Sequence, residues 1–195
     1  MSGLLTNFTV QDIQRAIKAT KDPMTVCIRN VAWGFFKNIE VDLLVETQDG
    51  WLTDYEIKRS KEDFLVDFKK KHYHDDIRIK HLVYVLPDAL ANDWLKNWCA
   101  ENYKDFKRSF SFKFYNSVGE DCYIHNDFEW EVDKGLYYYR RRKVYNEFHT
   151  SNFLTPEMTA DIDARDPLYD YRRQLFLEEK VRLYRLAIIK GSWAK

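Results

Sequence analysis

Asp42, Glu56 and Lys58 are two carboxylates and an ammonium carried on short runs either side of Gln48-Asp49-Gly50. Brought onto one face, the carboxylates could hold a hard divalent cation with the ammonium beside it. Oxygen ligands suit Mg2+, and water on such an ion is a route to a nucleophile for phosphodiester cleavage. Residues 39–46 and 51–58 alternate apolar and polar side chains about a Gly-containing turn, which reads as a β-hairpin. Alternation puts Asp42, Leu44 and Glu46 on one face, and Glu56 with Lys58 on one face of the partner strand.

The turn length decides whether those faces coincide. A two-residue Asp49-Gly50 loop pairs Gln48 with Trp51, sets Ile57 opposite Asp42 and sends Glu56 to the far side. A three-residue loop pairs Thr47 with Trp51 and sets Glu56 directly opposite Asp42, with Cβ atoms about 4.5–5.5 Å apart. Gly50 stands third in that loop, where a type I turn with a G1 bulge needs a left-handed residue. Like charges set opposite repel without a counter-ion, so each of the three side chains should tolerate removal. Lys58 beside two carboxylates should stay protonated until a metal neutralises them. The same three residues could also form a plain solvated salt-bridge cluster.

Val41-Asp42 and, one hairpin later, Glu56-Ile57-Lys58 resemble the two halves of the PD-(D/E)xK nuclease motif. Trp33-Gly34, residues 40–45, Asp54-Tyr55, Ser60, Asp63-Phe64, residues 67–70 and residues 84–87 extend the likeness to the MmcB-like DNA-repair nucleases of bacteria and phages, over residues 24–90. The resemblance implies a restriction-endonuclease-like α/β core, a mixed β-sheet flanked by helices. It further implies Mg2+, replaceable by Mn2+, held by Asp42, Glu56 and the Ile57 carbonyl. Lys58 would orient or deprotonate the attacking water and balance charge on the phosphate. Ser60, Asp63 and Asp67 are candidates to support the site or to lie on the helix surface. The implied activity is hydrolysis of DNA rather than RNA, in repair or in phage or mobile-element DNA processing.

Two positions depart from that pattern: Val41 replaces the proline, and the first helix offers only Asp12 and glutamines where many members supply a Glu. A rival reading follows, a nuclease-fold nucleic-acid-binding or virion or assembly protein without turnover. The basic stretch Lys69, Lys70, Lys71, His72 and His74 could track phosphates or simply close a helix end against its dipole. His72 and His74, two residues apart without Cys or acidic companions, do not make a zinc pattern. Arg140-Arg141-Arg142-Lys143, beside three tyrosines, could pair with carboxylates or solvent, or stack on bases.

Hydrophobic residues at 45% argue for a packed domain rather than a disordered chain. The length of 195 residues gives one domain, expected as a nuclease-like unit over 1–150 with a C-terminal helical extension, 151–195, packed on it. Cys27, Cys99 and Cys122 are odd in number and form no C-x-x-C pair, which fits a reducing bacterial or phage-infected cytoplasm. No apolar run approaches membrane length. With formal charge zero, nucleic-acid affinity must come from local basic patches. A homodimer is compatible with all of this.

Residues 9–18 predict a helix capped by Thr9, with Ile13, Ala16 and Ile17 on one face. A first strand is expected within residues 24–36, with a bend at Trp33-Gly34. Ser60 predicts a second helix, with Asp63 in the capping-box position. Residues 82–86 suit a strand buried on both faces, and residues 88–99 a helix. Residues 110–115 and 122–126 predict paired strands, Thr155-Pro156 a helix start, and Asp166-Pro167 the start of a longer helix reaching Ile189.

Overall fold

The computed structural model describes residues 8–32, 35–36, 39–69, 75–118, 121–125, 132–133, 136–137 and 153–190. Thr9 accepts the Asp12 N–H and the Asp12 carboxylate returns to the Thr9 N–H, so a capping box opens α1 (Val10–Ala19). Six strands then lie in chain order: β1 (Val26–Val31), β2 (Val41–Glu46), β3 (Leu52–Ile57), β4 (Ile79–Pro87), β5 (Ser111–Val118) and β6 (Asp121–His125). β1, β2 and β3 form an antiparallel meander, β3, β4 and β5 run parallel, and β6 turns back on β5. Each parallel step needs a crossover, supplied by α2 (Lys61–Lys69) and α3 (Asp93–Asn102). The expected mixed sheet flanked by helices is therefore present. A separate ribbon pairs β7 (Val132–Asp133) with β8 (Leu136–Tyr137), followed by α4 (Pro156–Arg165) and α5 (Leu177–Ile189). Among the described residues, no helix is long and apolar enough to cross a membrane.

Period-two alternation gives the sheet two apolar faces. One is covered by α1, whose Ile13 and Ile17 pack on Leu43, Val45, Tyr55, Ile57, Val83 and Val85. The other carries two clusters. Phe64 of α2, Leu95 and Cys99 of α3 and Ile162 of α4 pack on Leu82, Tyr84, Leu86, Phe112 and Phe114. Leu183 and Ala187 of α5 pack on Val26, Ile28, Leu44, Leu52 and Ile79. The Leu175 N–H donates to the Gly50 carbonyl at 3.1 Å, and buried Glu46 meets Lys180 at 3.5 Å, so the C-terminal segment is tied to the hairpin.

Three expectations need correction. Residues 88–92 form a 3-10 turn and a bend, and α3 begins only after Asn92, whose side chain caps the Trp94 N–H at 2.9 Å. No α-helix opens at Asp166-Pro167: the Asp166 carboxylate does accept the Leu168 N–H as an N-cap would, but only a 3-10 turn, Tyr169–Tyr171, follows before the chain extends. The chain runs on past the Ile77 and Gly50 carbonyls before Glu179, accepting the Phe176 N–H at 2.8 Å, allows α5 to start. Ser60 does cap α2 by accepting the Asp63 N–H, but the Asp63 carboxylate reaches past it to the Arg59 N–H. The first strand lies within residues 24–36 as expected, and Trp33-Gly34 lie outside the described residues.

Candidate functional site

The hairpin closes through a three-residue loop. The Thr47 N–H donates to the Trp51 carbonyl and the Gly50 N–H to the Thr47 carbonyl, each at 2.8 Å, with Gly50 left-handed at φ 78°. A Cβ at Gly50 would also fall 2.6 Å from the Lys180 Nζ, so space and backbone alike select glycine. In this register Leu43 faces Tyr55, the last pair of the ladder, and continuing it by one step would set Asp42 opposite Glu56.

The ladder between β2 and β3 ends at that step. The Ile57 N–H donates to the Asp42 carboxylate at 2.8 Å, so a side chain stands where a backbone partner would continue the sheet. On the other side, Pro87 in β4 has no N–H to carry the pairing past Lys58, whose own N–H still reaches Val85. Two strands and a proline thus open the sheet around residues 56–58.

Asp54, Glu56 and Lys58 point the same way along β3, between the two apolar clusters. Asp54 neighbours Leu44 and Leu82 in the register, and Glu56 neighbours Tyr84. Lys58 is 5% and Glu56 4% exposed, so this is no solvated surface cluster. The Lys58 ammonium lies 2.7 Å from Glu56 and 3.2 Å from Asp67, which α2 swings in from above. Asp67 also accepts the Tyr84 hydroxyl at 2.9 Å. Burial opposes the charge on Lys58, but Glu56, Asp67 and the field of Asp42 outweigh it and raise its pKa above the ordinary lysine range. Burial likewise leads, ahead of Asp67, in holding the Tyr84 phenol well above its usual value. The buried Arg108 donates to the Ile79 and Lys80 carbonyls, and burial lowers its pKa to about 10, with Asp54 and Asp166 among the charges opposing that fall.

Burial also raises the pKa of Asp42, against the lowering effects of the Ile57 N–H and Lys58. A carboxyl whose folded pKa lies above its unfolded value stabilises the fold at low pH, and that contribution is lost as pH rises through the folded value. The ionised Asp42 is therefore a cost at neutral pH, which an amide would remove while keeping an acceptor for Ile57. Asp42→Asn is expected to raise the melting temperature at pH 8 and to raise it less at pH 4. A lower melting temperature at pH 8 would mean that the ionised carboxylate stabilises the fold.

Behind Asp42 stands a second irregularity. Asn30, the residue of β1 in line with Asp42, is left-handed at φ 49° and drops out of a ladder that pairs Arg29 with Leu43 and Val31 with Val41. Gln14 of α1, buried to 1% exposure, fills the gap: its Nε2 donates to the Asp42 carbonyl at 2.7 Å and the Asn30 Oδ1 at 3.0 Å. Backbone held in a sparse region of this kind concentrates at functional sites. Asn30→Ala and Asn30→Gly both remove the amide, but only glycine suits the backbone. Denaturant unfolding should therefore find the glycine variant more stable than the alanine variant by about 1 kcal/mol.

The sequence-predicted site residues divide accordingly. Asp42, Glu56, Ile57 and Lys58 come together, and Asp67 joins them as a direct partner of Lys58 instead of lying on the helix surface. Ser60 and Asp63 stay at the exposed cap of α2. Lys69 is exposed at the end of that helix, while Lys70, Lys71, His72 and His74, like Arg140 to Lys143, lie outside the described residues. Sequence reasoning passed over Asp54, Tyr84, Gln14 and Asn30. The two-residue spacing of Asp54 from Glu56 was a usable signal, but nothing in the chain marks Asn30 as left-handed. The burial of Lys58 between Glu56 and Asp67 argues against the expected tolerance of its removal.

Among the described residues, no three His, Cys, Asp or Glu side chains form a ready-made metal cage. The side-chain donors near the break in the ladder are nonetheless oxygens: the Asp42 carboxylate, which accepts the Ile57 N–H, and the Glu56 carboxylate on Lys58. Mg2+ commonly takes one or two carboxylates and completes its shell with water and substrate oxygens, so these residues fit that ion and not zinc.

No protein-family model matches the chain, and no curated protein matches it. Among solved structures, the SPO1766 protein of unknown function from Silicibacter pomeroyi is similar over 90% of this chain and 87% of its own, at 12% identity and a TM-score of 0.35. So slight a likeness carries no argument.

Proposed function

We propose that this chain is a metal-dependent nuclease of the PD-(D/E)xK type, built on a restriction-endonuclease-like core and hydrolysing DNA phosphodiester bonds. The observation that carries the reading is the Asp42 carboxylate accepting the Ile57 N–H just past the last β2–β3 pair, Leu43 with Tyr55, with Glu56 and Lys58 on either side of Ile57. Asp42, Glu56 and the Ile57 carbonyl would hold Mg2+ or Mn2+, which when bound supplies charge stabilisation at the phosphate and a more acidic water. Lys58 is held protonated by Glu56 and Asp67 in the metal-free chain, and its basicity would depend on a metal neutralising the carboxylates beside it. Its task is to donate hydrogen bonds, orienting the attacking water and countering charge that develops on the phosphate. Asp67 fixes the ammonium in place through one oxygen and is itself fixed by Tyr84 through the other.

The test is cleavage of single- and double-stranded DNA with Mg2+ or Mn2+, beside an Asp42→Ala control. Metal-dependent products that vanish in the control support the reading, and equal products from both proteins, or none from either, contradict it. If residues 69–71 track phosphates, neutralising each lysine should lower the log–log salt slope of DNA binding by about 0.7–0.9. An unchanged slope returns them to the solvated surface. The rival, a nuclease-fold binding protein without turnover, draws on one observation: Lys58 is already neutralised by two buried carboxylates. DNA binding without cleavage at any metal concentration favours it.

A further inference from the structure

α5 buries Leu183 and Ala187 against the sheet yet leaves Leu177 at 78%, Val181 at 41% and Ile188 at 65% exposure. Leu177, Val181, half-buried Tyr184 and Ile188 step by four, three and four residues, the spacing of a two-helix seam. Three exposed residues, with Tyr184 half-buried against the sheet, therefore fall at the spacing of a helix partner, while Ile189, 81% exposed, lies off the stripe. Exposed Glu178 and Arg185 border it on the solvent side.

We propose that this stripe is a homodimer interface, in which α5 packs antiparallel on α5 of a second copy about a two-fold axis. Leu177 then meets Ile188 of the second copy, and Val181 meets Tyr184. The same register sets Glu178 beside Arg185 of the second copy, and the two-fold axis repeats the pair. Isologous packing demands this self-complementarity, and the charges supply it. A parallel arrangement would instead bring Lys180 towards Arg185, like charge to like. The seam runs the 13 residues of α5, about 20 Å. An interface of that size is small, with a dissociation constant on the order of 10–100 µM. The inference is independent of the nuclease reading.

Sedimentation equilibrium of the full chain across that concentration range tests it. Wild type is expected to pass from monomer to dimer, and Val181→Glu to remain monomeric with unchanged circular dichroism and melting temperature. Glu178→Arg and Arg185→Glu should each weaken the dimer roughly tenfold, since two attractions become repulsions. The double variant, with the charges exchanged, should recover it. A wild type still monomeric at ~200 µM overturns the proposal and leaves the stripe to another occupant. A dimer that Val181→Glu leaves intact overturns it too, and one indifferent to the charge exchange overturns the antiparallel register.

Discussion

Lys58→Met is expected to cut DNA cleavage by about 10²-fold or more while leaving divalent-cation binding intact. The ammonium touches Glu56 and Asp67 and is assigned to water and phosphate, so its loss removes a donor but no metal ligand. It also leaves two buried carboxylates without their shared cation, and breaking a buried pair from one side costs about 3–5 kcal/mol. The raised pKa of Lys58 fixes the pH window. Its stabilising contribution is full below the unfolded lysine value, about 10.4, and is lost only as pH rises above it. The stability deficit of Lys58→Met should therefore be full at pH 7 and narrow only in strong alkali. Because Asp67 is the second partner, Lys58→Met with Asp67→Asn should regain part of the lost stability and none of the lost cleavage. Recovery of cleavage in the double variant would show that Lys58 serves only the fold.

Replacing Asp42 or Glu56 by alanine should abolish both cation binding and cleavage, yet the two changes should differ in stability. Asp42 is half-buried, carries a pKa raised by burial and has no close ion pair among the described residues, so its charge opposes the metal-free fold. Glu56 holds Lys58 at 2.7 Å, and its removal leaves the ammonium with Asp67 alone. Glu56→Ala should accordingly unfold at distinctly lower denaturant than Asp42→Ala, by about 1–3 kcal/mol. Equal stabilities, with equal loss of binding, would mean that Glu56 and Lys58 are not coupled as the distances indicate.

The hairpin was legible because one glycine stands between two alternating runs. Gly50 served either a two-residue Asp49-Gly50 loop or a three-residue loop with glycine third, and the fold adopts the three-residue one. Thr9, Ser60 and Thr155 located helix starts for the same local reason: each is a short hydroxyl side chain before an apolar period. The failures are tertiary. Asp166-Pro167 had every local mark of a helix start, and Asp166 does accept the Leu168 N–H, but Arg172 and Arg173 bond to the Ile79 and Ile77 carbonyls and the turn stops at Tyr171. Asp67 reads from sequence as a surface acid on α2, and only the packing of Phe64 on Tyr84 brings it down onto Lys58. Asn30 and Gln14 were illegible because their roles depend on a left-handed residue in β1 and on how α1 lies across the sheet. Local chemistry placed the acids, and long-range packing supplied their partners.

The central claim is that Asp42 and Glu56 form an all-oxygen cation site at the break in the sheet. Calorimetric titration of Mn2+ into the wild-type chain and into Asp42→Ala, at pH 8 where Asp42 is ionised, tests it most directly. One saturable site in wild type, absent from Asp42→Ala, is the predicted result. Wild type that takes up no Mn2+ saturably, or an Asp42→Ala variant that takes it up equally well, would contradict the claim and leave these residues as a buried ion-pair network.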